Sequence, residues 1–181
     1  MLQIVIPASS RLWDERIEEF VSFPEQVLEL EHSLVSLSKW ESKWCKPFLS
    51  KDEKTFDETI DYIRCMTLTE NVDPDVYLRL TQENIIQINS YIEAPMTATT
   101  FRKDSNGKNS REQTTAELIY YWMIALNIPF ECQYWHLNKL LTLIRVCNAK
   151  NSPPKKMSRS EIMNQNRALN EARRAKLNSK G

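Results

Sequence analysis

A mainly α fold is what this chain predicts: a helical bundle with a small N-terminal β-ribbon and a detached basic C-terminal helix. Three observations carry that prediction. From Leu34 onward, apolar side chains recur at spacings of 3 and 4, the period of a helix face. Strand-like alternation is read only within the first 32 positions. Only 2 glycines occur among 181 residues. Tight hairpins, barrel corners and phosphate-cradling loops all use glycine, so P-loop, Rossmann and barrel architectures lose ground.

Taken in order, Gln3-Ile4-Val5-Ile6 reads as a short strand closed by Pro7. Glu19 to Phe23 alternates, and Val27 to His32 does so more loosely, which suggests a ribbon or a three-stranded sheet. Glu25 to Glu31 also fits a turn or two of helix. Ser33 to Trp44 spaces Leu34, Leu37, Trp40, Glu41 and Trp44 as a helix face, with the two tryptophans one turn apart and Lys46-Pro47 as its stop. A second helix is expected over Glu53 to Met66, after Ser50 and Asp52, with Phe56, Ile60, Ile63 and Leu68 inward. Asn71 to Pro74 is a turn, Asp75 to Arg79 a short helix, and Thr81 with Asn84 starts another that runs through Ile85, Ile88 and Ile92 to Pro95.

Met96 to Asn109 reads as an exposed polar loop. Glu112 to Cys147 then reads as two core helices joined at Asn127-Ile128-Pro129, the first capped by Ser110 with Gln113 three residues on. Leu118, Ile119, Trp122, Met123 and Leu126 form its inner face. Tyr120, Tyr121, Ile124 and Ala125 suggest burial on more than one side. The second helix is expected to start at Pro129 and carry Cys132, Trp135, Leu140, Leu143, Ile144 and Cys147 inward, leaving Lys139 and Arg145 to solvent. Ser152-Pro153-Pro154-Lys155-Lys156 reads as a stiff linker. Behind it, Ser158 and Glu161 start a final helix over Ser160 to Leu177 with Ile162, Leu169 and Ala172 as a thin apolar stripe.

The domain division expected is therefore 1–149, the helical domain with its ribbon, and 150–181, the linker and basic helix. Charge follows the same division. Residues 150–181 hold nine Lys/Arg against two Glu, +7, and the remainder holds 15 basic against 22 acidic residues, −7. The start of the chain lacks the basic n-region and long apolar run of a signal peptide, and no stretch nears the roughly 20 apolar residues of a membrane span, so an intracellular protein is expected. Four scattered cysteines (Cys45, Cys65, Cys132, Cys147) without a CxxC read as small buried hydrophobes.

Three patterns could carry chemistry. Cys132 and His136, four apart, make half of a zinc site whose other half is missing, and core packing is the simpler reading. Asp52, Glu53, Asp57, Glu58 and Asp61 cluster without a companion Glu-x-x-His, so a solvated helix face outweighs acid–base work. The C-terminal basic residues Lys155, Lys156, Arg159, Arg167, Arg173, Arg174 and Lys176 are the candidate partner-binding set, for an acidic protein or for phosphates, against the plain alternative of a solvated frayed helix. No enzyme, metal or cofactor is expected.

Leu30 to Glu41, Tyr121 to Pro129, Trp135 to Arg145 and Pro153 to Met157 are similar to segments of a family of small tailed-bacteriophage proteins, the tail assembly chaperones. The resemblance implies a mostly helical, non-catalytic morphogenesis protein that binds the tape measure protein until tail tube subunits polymerise around it. It implies residence in the host cell cytoplasm during assembly, or in the virion if the protein is structural, and it allows a homo-oligomer. Members are often made in a short and a frameshift-extended form, which directs attention to the codons of Lys155-Lys156. No site residues carry over. The alternative is a small phage connector or nucleic-acid-associated protein that uses the basic tail; no membrane partner is expected.

Overall fold

The computed structural model describes residues 1–14, 19–101, 113–151 and 159–177. The protein is mainly α, and among the described residues its strands all lie at the N-terminus. The strands are β1 (Leu2–Ile6), β2 (Ser9–Asp14), β3 (Glu19–Phe23) and β4 (Gln26–Leu30). The helices are α1 (Leu34–Trp44), α2 (Phe56–Met66), α3 (Gln82–Glu93), α4 (Ala116–Ala125), α5 (Leu137–Asn151) and α6 (Arg159–Leu177). Two 3-10 turns, Pro74–Arg79 and Phe130–Tyr134, precede α3 and α5.

β1 pairs antiparallel with β4, and β2 with β3. Ile6 opposite Gln26 and Ser9 opposite Phe23 lie on one register, so the two pairs are successive lengths of a single ribbon. The break falls at Pro7 and Pro24, which have no N–H to donate to the ladder. The Arg79 guanidinium donates to both of their carbonyls, at 3.4 and 3.3 Å. The period-2 pattern of the inner ribbon sends Ile4, Ile6, Leu28 and Leu30 to the core and leaves Val5 and Val27 outward. The free edge of β4 is covered by the chain leaving α2, through Glu31 N to Met66 O (2.9 Å) and Leu68 N to Glu29 O (2.8 Å). β2 is an addition to the strands expected from sequence, and the alternative of helix over Glu25 to Glu31 is replaced by β4.

Capping fixes the helix starts. Ser33 caps α1 and Thr81 caps α3, each in a reciprocal capping box, the second as expected from Thr81 and Asn84. α2 begins at Phe56, three residues later than expected, because Thr55 and Glu58 form the capping box instead of Ser50 or Asp52. The inner face is Ile60, Tyr62, Ile63 and Met66; Phe56, at the first position of the helix, and Leu68, beyond its end, were both expected inside and are exposed. α4 begins at Ala116 under Thr115, whose hydroxyl accepts from Leu118 N at 3.4 Å; the expected cap Ser110 lies outside the described residues.

The core has two parts, and α1 belongs to both. Trp40 joins β1, β4, α2, the Pro74–Arg79 turn and α3 in one cluster. Leu34 and Leu37, nearer the N-terminal end of α1, join α4, α5 and the 3-10 turn between them. The α4–α5 pair is thus half of the core, and α1 is the element on which both halves pack. Glu41 of α1 ties the second half in place: its carboxylate accepts from Phe48 N and from Ala116 N, the first residue of α4, both at 2.7 Å. A buried anion at a helix N-terminus is favoured by the dipole and by the unpaired N–H groups there. Contacts divide the chain into Met1–Asn148 and Ala149–Gly181, each described by itself.

Candidate functional site

The α4–α5 connection departs most from its sequence reading, and it produces a surface. Ala116, Ile119 and Met123 face the core, at spacings of 3 and 4. That leaves Tyr121 and Ile124 on the far side of the helix, 62% and 61% exposed, where burial on several sides was expected. The helix ends in a Schellman motif. Asn127 takes the left-handed conformation (φ 52°), Asn127 N donates to Ile124 O, and Ile128 N reaches back to Met123 O at 2.8 Å. Ile128 then packs in the same cluster as Met123, the hydrophobic contact that accompanies this motif.

Pro129 next starts a 3-10 turn over Phe130–Tyr134 rather than an α-helix. Its tighter pitch turns Cys132 inward and places Phe130 (53% exposed) and Tyr134 (64%) outward. Trp135, expected inside, is 38% exposed, with the Lys139 ammonium 4.2 Å from its ring. Tyr120 holds the turn against α4: its hydroxyl donates to Gln133 Oε1 at 2.9 Å and its ring lies 6.4 Å from that of Phe130. Burial, then the neighbouring Tyr134, pushes the Tyr120 phenol above its ordinary range. The end of α4 and the turn after it, an aromatic corner of the chain, therefore show five large apolar or aromatic side chains to solvent. Single exposed hydrophobics such as Leu78 or Phe56 are ordinary; several along one connection make it the candidate contact surface.

Beneath the fold's seam lies a second feature that sequence reading missed. His32 and His136 are both buried, with ring centroids 5.1 Å apart. His32 Nδ1 is hydrogen-bonded to the Tyr62 hydroxyl at 2.5 Å. His136 Nε2 donates to the Tyr91 carbonyl at 2.9 Å, since a carbonyl only accepts, and Nδ1 then accepts from Asn138 N at 3.3 Å. That arrangement is the neutral imidazole. Burial, followed by the neighbouring His136, lowers the His32 pKa to about 3; burial also lowers His136. The Tyr91 hydroxyl donates to Glu31 Oε1 at 2.7 Å, and burial raises its pKa. Every member has a packing or hydrogen-bonding task, so the network fixes the junction of β4, α1, α3 and α5.

The acidic cluster divides: Asp52, Glu53 and Asp57 are exposed, as a solvated face requires, and the other two are not. Glu58 and Asp61 are buried, bound by Lys46 (2.5 Å) and by Lys43 with the Trp44 indole (2.9 Å to Asp61 Oδ2). The Lys46 hydrogen bond, with that from Thr55 N, holds the Glu58 carboxyl below its usual range. Cys132 sits in the 3-10 turn and His136 before α5, so the two do not share an α-helix, and no metal-binding group of three or more His, Cys, Asp or Glu occurs among the described residues. Cys45 is exposed rather than buried. Of the basic candidate set, Arg159, Arg167, Arg173, Arg174 and Lys176 lie exposed on α6, while Lys155 and Lys156 fall outside the described residues, as does Ser158. Among the described residues no helix is long and apolar enough to cross a membrane.

No family model matches this chain, and no curated protein or solved structure does either.

Proposed function

We propose that this chain is a non-catalytic phage morphogenesis protein, a tail assembly chaperone that holds the tape measure protein during tail assembly, and that the aromatic corner is where the client is held. The observation that carries the reading is the exposure of Tyr121, Ile124, Phe130 and Tyr134 on one corner of a folded helical body. Tyr and Phe lose little conformational entropy on binding and bury much area, so such residues dominate the energetics of protein contacts. A long helical client offers an apolar stripe that this corner can cover and later release when tube subunits compete for it.

The alternative, a connector or nucleic-acid-associated protein, draws on the exposed arginines of α6. Co-expression with a tape measure protein, followed by size-exclusion chromatography, separates the two. Co-elution that persists when the chain is cut after Asn151 supports the chaperone reading. No complex, but a salt-sensitive shift of duplex DNA that is lost with residues 152–181, overturns it.

A further inference from the structure

Helix α6 has an order that its composition hides. It carries Arg159, Arg167, Arg173, Arg174 and Lys176 against Glu161 and Glu171, a net of +3. At about 100° per residue these five cations fall within roughly half of the helix circumference. The same half holds Ile162, Met163, Leu169 and Leu177, which are 45%, 66%, 48% and 74% exposed. Glu171 lies beyond that arc and reaches back to Arg167, at 3.4 Å across one turn. Ala168 and Ala175 occupy the opposite side. The cations therefore flank and interrupt an apolar stripe, and the neutral small residues face away.

We infer that α6 is a docking helix for an acidic protein helix that bears an apolar stripe. Charge complementarity selects this occupant over the others. A second copy of α6 would set +3 against +3, which disfavours self-pairing. A phosphate backbone would satisfy the arginines but offers little to cover Ile162, Leu169 and Leu177. An acidic amphipathic helix does both: its apolar stripe covers these side chains and its carboxylates meet the guanidinium groups of Arg173 and Arg174 and the ammonium of Lys176. Nineteen residues at about 1.5 Å each span close to 28 Å, so the matching segment is about five turns long. The i,i+4 pair Arg167–Glu171 supplies only a few tenths of a kcal/mol to an isolated helix, so a partner that orders α6 adds most of its stability. This docking is separate from the aromatic corner and stands or falls without it.

The test uses the full chain and two labelled synthetic helices of about three heptads, both with a leucine stripe, one flanked by Glu and one by Gln. Fluorescence anisotropy should show the Glu helix bound at least about tenfold more tightly than the Gln helix, with the difference reduced at high salt. The double variants Arg173→Glu/Arg174→Glu and Ile162→Ser/Leu169→Ser should each weaken the Glu helix by about tenfold or more. Because these residues are all exposed, circular dichroism of both variants should match the parent. Equal binding of the two helices, or none of the Glu helix, overturns the inference. So does tighter binding of a duplex DNA oligomer or of anionic vesicles, or self-association of the chain that is abolished by the apolar variant.

Discussion

Acidification should loosen this fold well before its carboxylates titrate, and His32 is the reason. In the folded chain His32 is neutral, its pKa lowered to about 3 from an ordinary 6.5 by burial and by His136. The unfolded chain takes up that proton below pH 6.5, so the unfolded state binds more protons and stability falls as pH falls from 6.5 toward 3. Between pH 7.5 and 5.0 the linkage amounts to about 2 kcal/mol from His32. His136, lowered in the same direction, adds to it. Glu58, held below its usual range by Lys46, works in a lower window: its contribution is present above 4.5 and is lost only as pH drops below that value. Urea unfolding followed by tryptophan fluorescence at pH 7.5, 6.0 and 5.0 should therefore show the loss. His32→Gln keeps a partner for the Tyr62 hydroxyl and removes the titration, so its stability should vary less over the same range by about 2 kcal/mol. A wild-type curve that is flat between pH 7.5 and 5.0, or an equal slope in His32→Gln, would refute the argument.

Substitutions at two further positions probe what holds the corner in place. Glu41→Ala leaves Phe48 N and Ala116 N without their acceptor and opens space in α1, and should cost about 2–4 kcal/mol by chemical denaturation; Glu41→Gln, which can satisfy only one of the two N–H groups with its carbonyl oxygen, should fall between Ala and wild type. Asn127→Gly should be neutral or slightly stabilising at the left-handed position, whereas Asn127→Val should cost about 1–2 kcal/mol, read as a lower urea midpoint with an unchanged slope.

The elements that sequence placed well are those whose signals are local. Thr81 with Asn84 and Ser33 before Leu34 state their helix starts within four residues, and the alternation of Gln3 to Ile6 states its strand. The misplacements arise where two local signals compete. Ser50 and Asp52 are as good caps as Thr55 on paper, and only packing of Tyr62 and Met66 against β4 decides between them. Pro129 opens an α-helix and a 3-10 turn equally well; the choice depends on Cys132 reaching the cluster of Leu34 and Leu37, a contact some hundred residues away in sequence. The aromatic corner was illegible for the same reason, since Tyr121 and Ile124 look like core at helical spacing until the partner of each face is known. His32 and His136 lie far apart in the chain and only the crossing of β4 and α5 brings their rings together. Glu41 sits among the residues of a helix face and gave no sign that its carboxylate would cap another helix.

The measurement that bears most directly on the proposed role is the affinity of the purified chain for a tape measure segment, with and without the double substitution Phe130→Ser/Tyr134→Ser. Both side chains are exposed, so the variant should keep the parent's unfolding midpoint. Loss of two aromatic contacts at an interface is expected to weaken binding by about 30-fold or more, on the order of 2 kcal/mol. An unchanged affinity in a folded variant would contradict the account, and the corner would then be an ordinary exposed surface.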